Sequence, residues 1–329
     1  MNLNKTVSAA FAVLLTAFTG YVALDTFVLP HTAQTDAGKA DFSMFAEESS
    51  AASAIPLHRS AAESETQTET QTSTQTSTQT DTQTTAARPV STATTYSDAH
   101  IQIALTEYRE YDTAIYVADI QLDSAEYLKT AFANNSFGKN ITAKTSVIAA
   151  QNNAVLAING DFYGTQERGI VIRNGVLYRD TPGTADILCV YADGTMQTYS
   201  AGEKSAQQLL DEGVWQAFSF GPALLTEGNI AVGANDEVGR AMASNPRTAV
   251  GMISPLHYVF VVSDGRTDAS AGLSLAQLAE FMQSLGVQTA YNLDGGGSST
   301  MVFQGEVINN PTTTGKTRER SVSDIVYIG

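Results

Sequence analysis

The sequence predicts an α+β fold with mixed sheets, several hairpins, one βαβ crossover and helices packed on the sheets. Asn174-Gly175 and Asp193-Gly194 each separate two short apolar runs, and such dipeptides are the strongest short-range hairpin signal. A pattern of strand, helix and strand covers residues 258–293, which is typical of a crossover between parallel strands. Local hairpins combined with one crossover are consistent with this class.

The N-terminal residues predict a membrane anchor. Lys5 precedes an uncharged apolar run over residues 7–24, which has about the minimum length that spans a bilayer. We therefore predict a signal anchor over residues 1–30, a location at the cell membrane and a catalytic domain outside the cell. A cleaved signal peptide, giving a secreted protein, is the alternative, although residues 21–23 match a cleavage site poorly.

Composition divides the rest of the chain into a linker and a folded domain. Residues 31–95 are rich in Ser, Thr and Gln, with repeated Thr-Gln pairs and no apolar periodicity, and predict a disordered tether. Residues 96–329 carry the periodic sequence and predict the catalytic domain. The formal net charge of −16 argues against nucleic acid as a partner.

The first half of the domain alternates between strands and short helices. Apolar alternation predicts strands over residues 101–105 and 114–120. A helix capped by Ser124 is expected over residues 124–133, and a second helix over residues 145–151. An apolar strand, residues 154–158, then leads into the Asn-Gly-Asp-Phe-Tyr motif.

The middle of the domain is predicted to consist of hairpins around one helix. Ser205 and Gln208 have the spacing of a capping box, which predicts a helix from Ser205 to Glu212 that ends at Gly213. Strands are predicted at residues 170–173, 176–178, 187–191, 195–199, 215–220, 223–225, 248–253 and 258–262, and near the C-terminus at 301–304, 307–309 and 323–328.

The predicted crossover gathers polar residues at one place. A helix with a capping box at Ser274 and Gln277 separates two buried strands. Such a unit is normally right-handed, with its strands parallel. Parallel strands end at the same edge of a sheet, so Asp264 and Arg266 are expected beside Asp294.

A glycine loop follows the second of these strands. Asp294 precedes three glycines, which lack the Cβ that keeps a ligand away from the backbone. A bend or bulge between two strands is the structural alternative. The candidate substrate-binding residues of this segment are Asn292, Gly295, Gly296, Gly297, Ser298 and Ser299.

The residue types at this edge favour chemistry on a sugar and a phosphate. A carboxylate pair is the minimal equipment for glycoside hydrolysis, and arginine recognises phosphate with two hydrogen bonds at once. The candidate catalytic residues are Asp294, Asp264, Arg247 and Arg266, and further candidate binding residues are Asn159, Gly160, Asp161 and Arg168.

Five motifs in this order resemble the phosphodiester glycosidase family, and the resemblance covers residues 101–329. The motifs are Asn159-Gly160-Asp161-Phe162-Tyr163, Ser219-Phe220-Gly221-Pro222-Ala223-Leu224, Asn245-Pro246-Arg247-Thr248-Ala249, Asp264-Gly265-Arg266 and Asn292-Leu293-Asp294-Gly295-Gly296-Gly297-Ser298-Ser299. The resemblance implies an α+β fold and cleavage of a sugar from a sugar-1-phosphodiester, with a cell-envelope glycan as the expected substrate.

The resemblance also implies roles for individual residues. Asp294 or Asp264 would act as base or nucleophile, and which of them does so stays open, with Asp161 as a third candidate. Arg247 or Arg266, with the amides of the glycine loop, would stabilise the phosphate leaving group. Asn159 and Ser298 are candidates for binding sugar hydroxyls. No cofactor is required for this reaction, and a structural Ca²⁺ or Mg²⁺ ion is compatible with it.

Two other functions are consistent with the same residues. One is a glycan-binding or exopolysaccharide-organising protein without turnover. The other is a metal-dependent phosphohydrolase in which Asp161, Asp264 and Asp294 hold Ca²⁺ or Mg²⁺ through oxygen atoms. The metal ligands, the sugar, the aglycone and the oligomeric state are not specified by the sequence.

Overall fold

The structure, a computed structural model, describes residues 3–32, 89–233, 236 and 244–329. Within these residues the fold is built mostly of β-strands, and the predicted α+β class is confirmed. The α-helices are Leu3–Phe27, Thr145–Gln151, Ala206–Asp211 and Leu275–Ser284. Short 3₁₀ helices lie at Ala125–Tyr127, Ala133–Asn135, Tyr163–Thr165 and Gly296–Ser298.

The largest sheet, here called the large sheet, has nine strands in the described residues. All its pairings that the structure resolves are antiparallel. In spatial order its strands are Asn229–Ile230, Ala223–Thr226, Thr289–Leu293, Arg247–Ser254, His257–Ser263, Thr113–Leu122, Ile101–Glu110, Thr95–Ser97 and Val90–Ser91.

Two five-stranded sheets complete the fold. The hairpin sheet contains both predicted Asn-Gly and Asp-Gly hairpins, and its strands in spatial order are Val176–Thr181, Gly169–Arg173, Val214–Phe218, Ile187–Tyr191 and Met196–Tyr199. The C-terminal sheet has the order Glu306–Val307, Met301–Phe303, Leu156–Asn159, Asp324–Ile328 and Leu128–Phe132. Two-stranded ribbons pair His31–Thr32 with Gly138–Lys139, Ala143–Lys144 with Ser321–Val322, and Thr312–Thr313 with Lys316–Thr317.

One hydrophobic core joins the three sheets. Phe260 of the large sheet, Phe218 of the hairpin sheet and Ile158 of the C-terminal sheet all belong to it and are almost completely buried. The three helices of the folded domain cover the outer faces, each with its own apolar cluster. Burial of the apolar side chains on both faces therefore fixes the sheets relative to one another.

The predicted crossover joins two strands that do not pair directly. His257–Ser263 and Thr289–Leu293 are both antiparallel to Arg247–Ser254, which lies between them, so the two run in the same direction. The helix Leu275–Ser284 connects them and has the predicted capping box at Ser274. The hand of this connection stays a prediction. Its functional consequence is that Asp294 and Arg266 both follow strands that end at the same edge.

One predicted helix is wrong. Residues 124–133 form a single 3₁₀ turn, Ala125–Tyr127, followed by the strand Leu128–Phe132. Ser124 caps this turn as expected, since its side chain accepts a hydrogen bond from the Glu126 amide at 3.3 Å. The chain then pairs with Asp324–Ile328, a partner nearly two hundred residues away, and this pairing outweighs the local preference.

The N-terminal helix is present, but a membrane-spanning role for it is not supported. Of the helices in the described residues, none is long and apolar enough to cross a membrane. Asn140 of the domain donates hydrogen bonds to Thr26 O at 3.1 Å and Leu29 O at 3.2 Å. Most of the predicted linker, residues 33–88, lies outside the described residues, whereas Val90–Ser91 at its end pairs within the large sheet.

Candidate active site

A cleft of about 640 Å³ opens where the ends of the large sheet meet the glycine loop. Its lining combines acidic, basic and apolar groups. The acidic and basic residues are Asp186, Asp236, Asp294, Arg247, Arg266 and Arg320, and the others include Phe162, Phe220, Pro222, Asn245, Asn292, Gly295 and Gly296. A cleft of this size accommodates a sugar and its phosphate, and its arginines favour an anion.

Asp294 is the best-held carboxylate of the cleft. Its Oδ2 accepts a hydrogen bond from Ser298 Oγ at 2.6 Å and pairs with Arg320 Nη2 at 2.8 Å. Arg320 Nε also donates to Ser298 Oγ at 2.8 Å, which closes a three-residue network. Burial raises the pKa of Asp294, although the Arg320 charge and the Ser298 hydrogen bond act in the opposite direction. Its carboxylate is thus fixed in position and only slightly exposed.

Asn159 supports the Asp294 loop from below and does not line the cleft. Its Nδ2 donates to Asp294 O at 2.6 Å, and its Oδ1 accepts from Thr248 Oγ1 at 2.8 Å. The side chain is completely buried by these partners. Both ends of the Asn159 amide are used within the protein, and its predicted role in binding sugar hydroxyls stays a prediction.

The glycines of the loop lie close to other parts of the protein, where a Cβ atom would collide. A Cβ on Gly295 would lie 2.8 Å from Pro246 O, and one on Gly297 would lie 2.6 Å from Thr313 Oγ1. Gly296 has a φ of +64°, and its amide donates to Pro246 O at 2.8 Å. The Gly296 amide therefore does not serve an anion, contrary to expectation, and only Gly295 and Gly296 of the three glycines line the cleft.

Two of the predicted arginines meet in the cleft. Arg247 begins the central strand of the crossover, and its Nε donates to Leu273 O at 2.8 Å. Arg266 donates to Asn245 Oδ1 from Nε at 3.0 Å and from Nη2 at 2.7 Å. Arg266 has a φ of +62°, a conformation that costs a non-glycine residue about 1 kcal/mol. Such strain is typical of functional positions, where the surroundings hold a side chain in place.

Asp264 does not form a pair with Asp294 in the cleft. Its Oδ1 accepts from the Asn310 amide at 2.8 Å and from Asn309 Nδ2 at 3.2 Å, and its Oδ2 accepts from Asn310 Nδ2 at 2.9 Å. Tyr116 OH also approaches Oδ2 at 3.4 Å. With four donors around it, the buried Asp264 carboxylate holds the chain at residues 309–310 and does not line the cleft, and its catalytic role stays a prediction.

Asp161 belongs to a buried ion triad away from the cleft lining. Arg173 Nη2 pairs with Asp161 Oδ1 at 2.8 Å and with Asp324 Oδ2 at 3.0 Å. Asp161 Oδ2 also accepts from the Ser219 amide at 3.1 Å. Gly160 is required here, because a Cβ on it would collide with the Asp324 carboxylate. Gly160 and Asp161 thus take part in the structure around the triad and do not line the cleft, and their roles in binding and catalysis stay predictions.

The remaining predicted residues are divided between the cleft and its surroundings. Asn292 lines the cleft, with Nδ2 donating to Gly221 O at 2.8 Å. Ser298 holds Asp294, and Ser299 is fully buried beside it. Arg168 is exposed and lines a separate hollow next to the cleft.

Sequence reasoning missed Arg320 and Arg173. Arg320 reaches Asp294 from a segment twenty-six residues further along the chain, and no motif marks it. Arg173 ends the first strand of a predicted hairpin, where a charged residue normally faces solvent. A signal was available only for Arg173, because the isoleucines and valine before it make this strand wholly apolar and therefore buried.

The three aspartates proposed as metal ligands do not converge. Asp161 faces Arg173, Asp264 faces Asn309 and Asn310, and Asp294 faces Arg320. In the described part of the chain, no group of three His, Cys, Asp or Glu side chains is placed to hold a metal ion. The metal-binding alternative therefore has no ligand set among these residues.

The fold and the cleft together define an α+β domain with an arginine-lined cleft at the ends of its strands. The model of the phosphodiester glycosidase family matches residues 152–329, more than half of the chain. The chain belongs to this family.

Individual relatives agree with this assignment. The chain is 29% identical over 180 residues to an uncharacterised SPbeta prophage-derived protein of Bacillus subtilis (strain 168), covering 53% of this chain and 28% of that protein. It is 30% identical over 180 residues to mouse N-acetylglucosamine-1-phosphodiester alpha-N-acetylglucosaminidase, covering 48% of this chain and 33% of the mouse protein. The matches thus span a third or less of the length of these curated relatives.

Solved structures show the same fold. The zebrafish N-acetylglucosamine-1-phosphodiester alpha-N-acetylglucosaminidase catalytic domain, auto-inhibited by its pro-peptide, superposes with a TM-score of 0.56 at 22% identity, covering 69% of this chain and 82% of that chain. A hypothetical protein from Synechocystis gives a TM-score of 0.53 at 15% identity, covering 70% of this chain and 62% of that chain. At these identities the likeness concerns the fold.

Proposed function

We propose that this protein hydrolyses a sugar-1-phosphodiester between the anomeric carbon and the bridging phosphate oxygen. The observation that carries the proposal is the meeting of Asp294 with Arg247, Arg266 and Arg320 in one cleft. In this reaction the bridging oxygen keeps the electron pair of the broken bond. Water supplies the new hydroxyl group of the sugar, and the other product is a phosphomonoester.

The arginines are the groups that stabilise the departing phosphate. Arg266 is fixed by two hydrogen bonds to Asn245 and makes no ion pair among the described residues. A guanidinium held in this way offers its remaining N–H groups to phosphate oxygens without reorganisation. Because a phosphate group leaves as a weak base, the reaction needs charge stabilisation more than a strong proton donor.

Asp294 is the group that acts at the anomeric carbon. As a base it takes a proton from the attacking water, and as a nucleophile it forms a glycosyl ester that water then cleaves. Both roles require the ionised carboxylate, which Arg320 and Ser298 favour in spite of burial. Which role applies determines whether the released sugar keeps or inverts its anomeric configuration.

Asn292 is the candidate that recognises the sugar. Its Nδ2 is used by Gly221 O, whereas its Oδ1 has no hydrogen-bond partner among the described residues. A buried acceptor of this kind is costly unless a ligand donates to it. A sugar hydroxyl or an acetamido N–H is a donor of the required type, and the names of the mouse and zebrafish relatives include an N-acetylated sugar.

Hydrolysis in ¹⁸O-labelled water tests the proposal. A sugar-1-phosphate methyl ester is incubated with the protein, and the products are identified by ³¹P NMR and mass spectrometry. We expect free sugar carrying ¹⁸O and unlabelled methyl phosphate. Label in the phosphate would instead show cleavage of the P–O bond by a phosphohydrolase, and binding without any product would show a glycan-binding protein.

The same assay with variants assigns the chemistry to the cleft. Asp294→Asn should lower kcat at least about a hundredfold, because it removes the base or nucleophile. Asp211→Asn is the matched control, since Asp211 is exposed, does not line the cleft and accepts a hydrogen bond from Gln207. Equal activity of the Asp294 variant and the wild type would overturn the assignment.

The expected setting is a cell-envelope or extracellular glycan with phosphodiester-linked sugars. Export of the catalytic domain stays a proposal that rests on the N-terminal sequence, and protease accessibility in intact cells would test it.

A further inference from the structure

We infer that the site extends beyond the scissile phosphate into a second anion-binding subsite at Arg168. This inference rests on the proposed function, and it specifies the substrate as a sugar phosphodiester whose leaving group carries another phosphate. Arg168 lines a hollow of about 420 Å³ formed by residues 166–169 and 183–185 together with Ser219. Thr184 and Ala185 line both this hollow and the cleft, so the two lie side by side and share a wall.

The wall of the hollow is preformed. Arg179 donates to Gly169 O at 2.9 Å, to Gln166 O at 2.6 Å and to Tyr163 O at 3.1 Å. Three hydrogen bonds from one partly buried guanidinium fix the segment that runs from the cleft to the hollow. A cavity whose backbone is held in this way binds a ligand without first ordering its walls.

Two glycines allow the facing segments of the hollow to pack closely against each other. Gly169 has a φ of +103°, and a Cβ on it would lie 2.6 Å from Ser219 Cβ. A Cβ on Gly183 would lie 3.2 Å from Gly169 Cα, so the segment containing Thr184 packs directly on the segment containing Arg168. Side chains larger than hydrogen at these two positions would push the facing segments apart.

Arg168 is the cationic residue that lines this hollow, and Glu167 lines it as well. The Arg168 side chain is exposed and makes no hydrogen bond or ion pair among the described residues. Its neighbour Glu167 is already paired with Lys139 at 2.7 Å, so it competes little for Arg168. The chain has a net charge of −16, yet Arg168 stays unpaired among the described residues. Its hollow shares a wall with the arginine-lined cleft, and this placement favours the binding of a second phosphate.

The inference is tested with two substrates that differ in one group. The short substrate is a sugar-1-phosphate methyl ester, and the long substrate replaces methanol with a diol that carries a terminal phosphate. The wild type should have a kcat/KM about three- to fivefold higher for the long substrate, as expected for one exposed charge pair. Arg168→Gln should remove this preference through KM and leave hydrolysis of the short substrate unchanged.

Lys144→Gln is the matched control, because Lys144 is also exposed but lies on a two-stranded ribbon and does not line the hollow. It should keep the preference for the long substrate. Equal kcat/KM for the two substrates in the wild type, or a preference that survives in Arg168→Gln, would overturn the second subsite while leaving the hydrolase function intact.

A binding measurement separates the two proposals if neither substrate is hydrolysed. The diol monophosphate and the diol bisphosphate are titrated calorimetrically into the wild type and the Arg168 variant. Tighter binding of the bisphosphate to the wild type alone supports the subsite even when the proposed reaction fails. Equal affinities in both proteins would rule the subsite out.

Discussion

Arg320 favours the ionised form of Asp294, the carboxylate on which the proposed reaction depends. It pairs with Asp294 Oδ2 at 2.8 Å, and its guanidinium lies over the Phe162 ring at 5.9 Å from the ring centre. The aromatic ring and the hydrogen bond to Ser298 together restrict its position. Arg320 is partly exposed, so its effect on Asp294 is moderated by solvent.

Replacing Arg320 should change the pH dependence of activity. Burial already raises the pKa of Asp294, and Arg320 opposes that rise, so Arg320→Met should raise the pKa further. Because the ionised carboxylate is the active form, the acid limb of kcat/KM should move to higher pH. The measurement is a pH–rate profile on the short substrate.

A neighbouring arginine provides the control for this profile. Arg318 contacts Thr314 Oγ1 at 3.0 Å and has no contact with Asp294, so Arg318→Met should leave the acid limb in place. Arg320→Lys, which keeps the charge, should shift it less than Arg320→Met. An acid limb that stays constant in all three variants would exclude Asp294 as the group that titrates.

At the level of residues, local sequence indicated part of the site. Asp294, Arg247 and Arg266 stand at strand ends beside glycines or proline, and the structure brings all three into the cleft. Asp264 stands in the same kind of motif but holds residues 309–310. The distinction depends on which donors surround each carboxylate, and those donors come from distant segments that no local pattern reveals. Arg320 was missed for the same reason.

At the level of elements, the glycine loop combines a turn with close packing. Gly296 requires a positive φ, and a Cβ on it would lie 3.0 Å from Arg266 Nη2. Gly296→Ala should therefore displace the Arg266 guanidinium in addition to straining the backbone by about 1 kcal/mol. We expect a lower kcat as well as a lower melting temperature, measured by turnover of the short substrate and by calorimetry.

Gly305→Ala measures the cost of backbone strain alone. Gly305 also has a positive φ, +86°, but nothing lies within 4 Å of its Cβ position. This variant should lose similar stability and keep full activity. Equal turnover in the Gly296 and Gly305 variants would show that the contact between Arg266 and the loop does not matter for the reaction.

Elements with a complete local signal were predicted well. Both capping boxes are formed, at Ser205 and at Ser274, because the side chains that satisfy the first amides lie within the same turn. The two hairpins follow from their turn dipeptides. Residues 124–133 were assigned incorrectly because the strand there is stabilised by pairing with the C-terminal strand, which no nearby residue indicates.

At the level of the whole molecule, the buried triad joins two sheets. Asp161 and Asp324 belong to the C-terminal sheet region, and Arg173 belongs to the hairpin sheet and also hydrogen-bonds Ala217 O there. Burial raises the pKa of Asp324, although Arg173 acts in the opposite direction. A carboxyl whose pKa is higher in the folded state stabilises the fold at low pH, and this contribution is lost as the pH rises through the folded pKa.

Removing the arginine should reveal this pH dependence. Arg173→Met leaves two buried carboxyls without their cation and should cost about 3–5 kcal/mol near pH 7. The loss should shrink toward pH 4, where the Asp324 carboxyl, whose pKa burial raises to about 7, is protonated and needs no counter-charge. Urea unfolding at the two pH values is the measurement.

Arg179→Met is the comparison for the triad, because Arg179 hydrogen-bonds carbonyl oxygens that do not titrate and its charge acts on Asp161 and Asp324 without an ion pair to either. Its loss of stability should depend less on pH than that of Arg173→Met. If Arg173→Met lost the same free energy at pH 4 and pH 7, the charge of Asp324 would not change between these pH values and the predicted pH dependence would be wrong.

The arrangement of the sheets was beyond sequence reasoning. The strand Arg247–Ser254 was predicted as a hairpin partner of His257–Ser263, and it also pairs with Thr289–Leu293 on its other side. Both faces of these strands are apolar, so their order in the sheet leaves no trace in the periodicity. By contrast, the helix between the two crossover strands was enough to predict that these strands run in the same direction. Their polar ends were therefore expected at the same edge of the sheet.

The position of Asp264 affects how loss-of-function data on this family member are to be understood. The Asn309 amide that Asp264 holds also bonds to Ser299 O at 3.0 Å and to the Met301 N–H at 2.9 Å, on the far side of the glycine loop. Neutralising Asp264 would loosen the support of that loop, and we expect it to lower the proposed activity without a contact to the substrate. A mutational scan scored only by turnover would rank Asp264 with Asp294. A melting curve recorded for each variant would distinguish a residue that supports the loop from a residue that takes part in the proposed reaction.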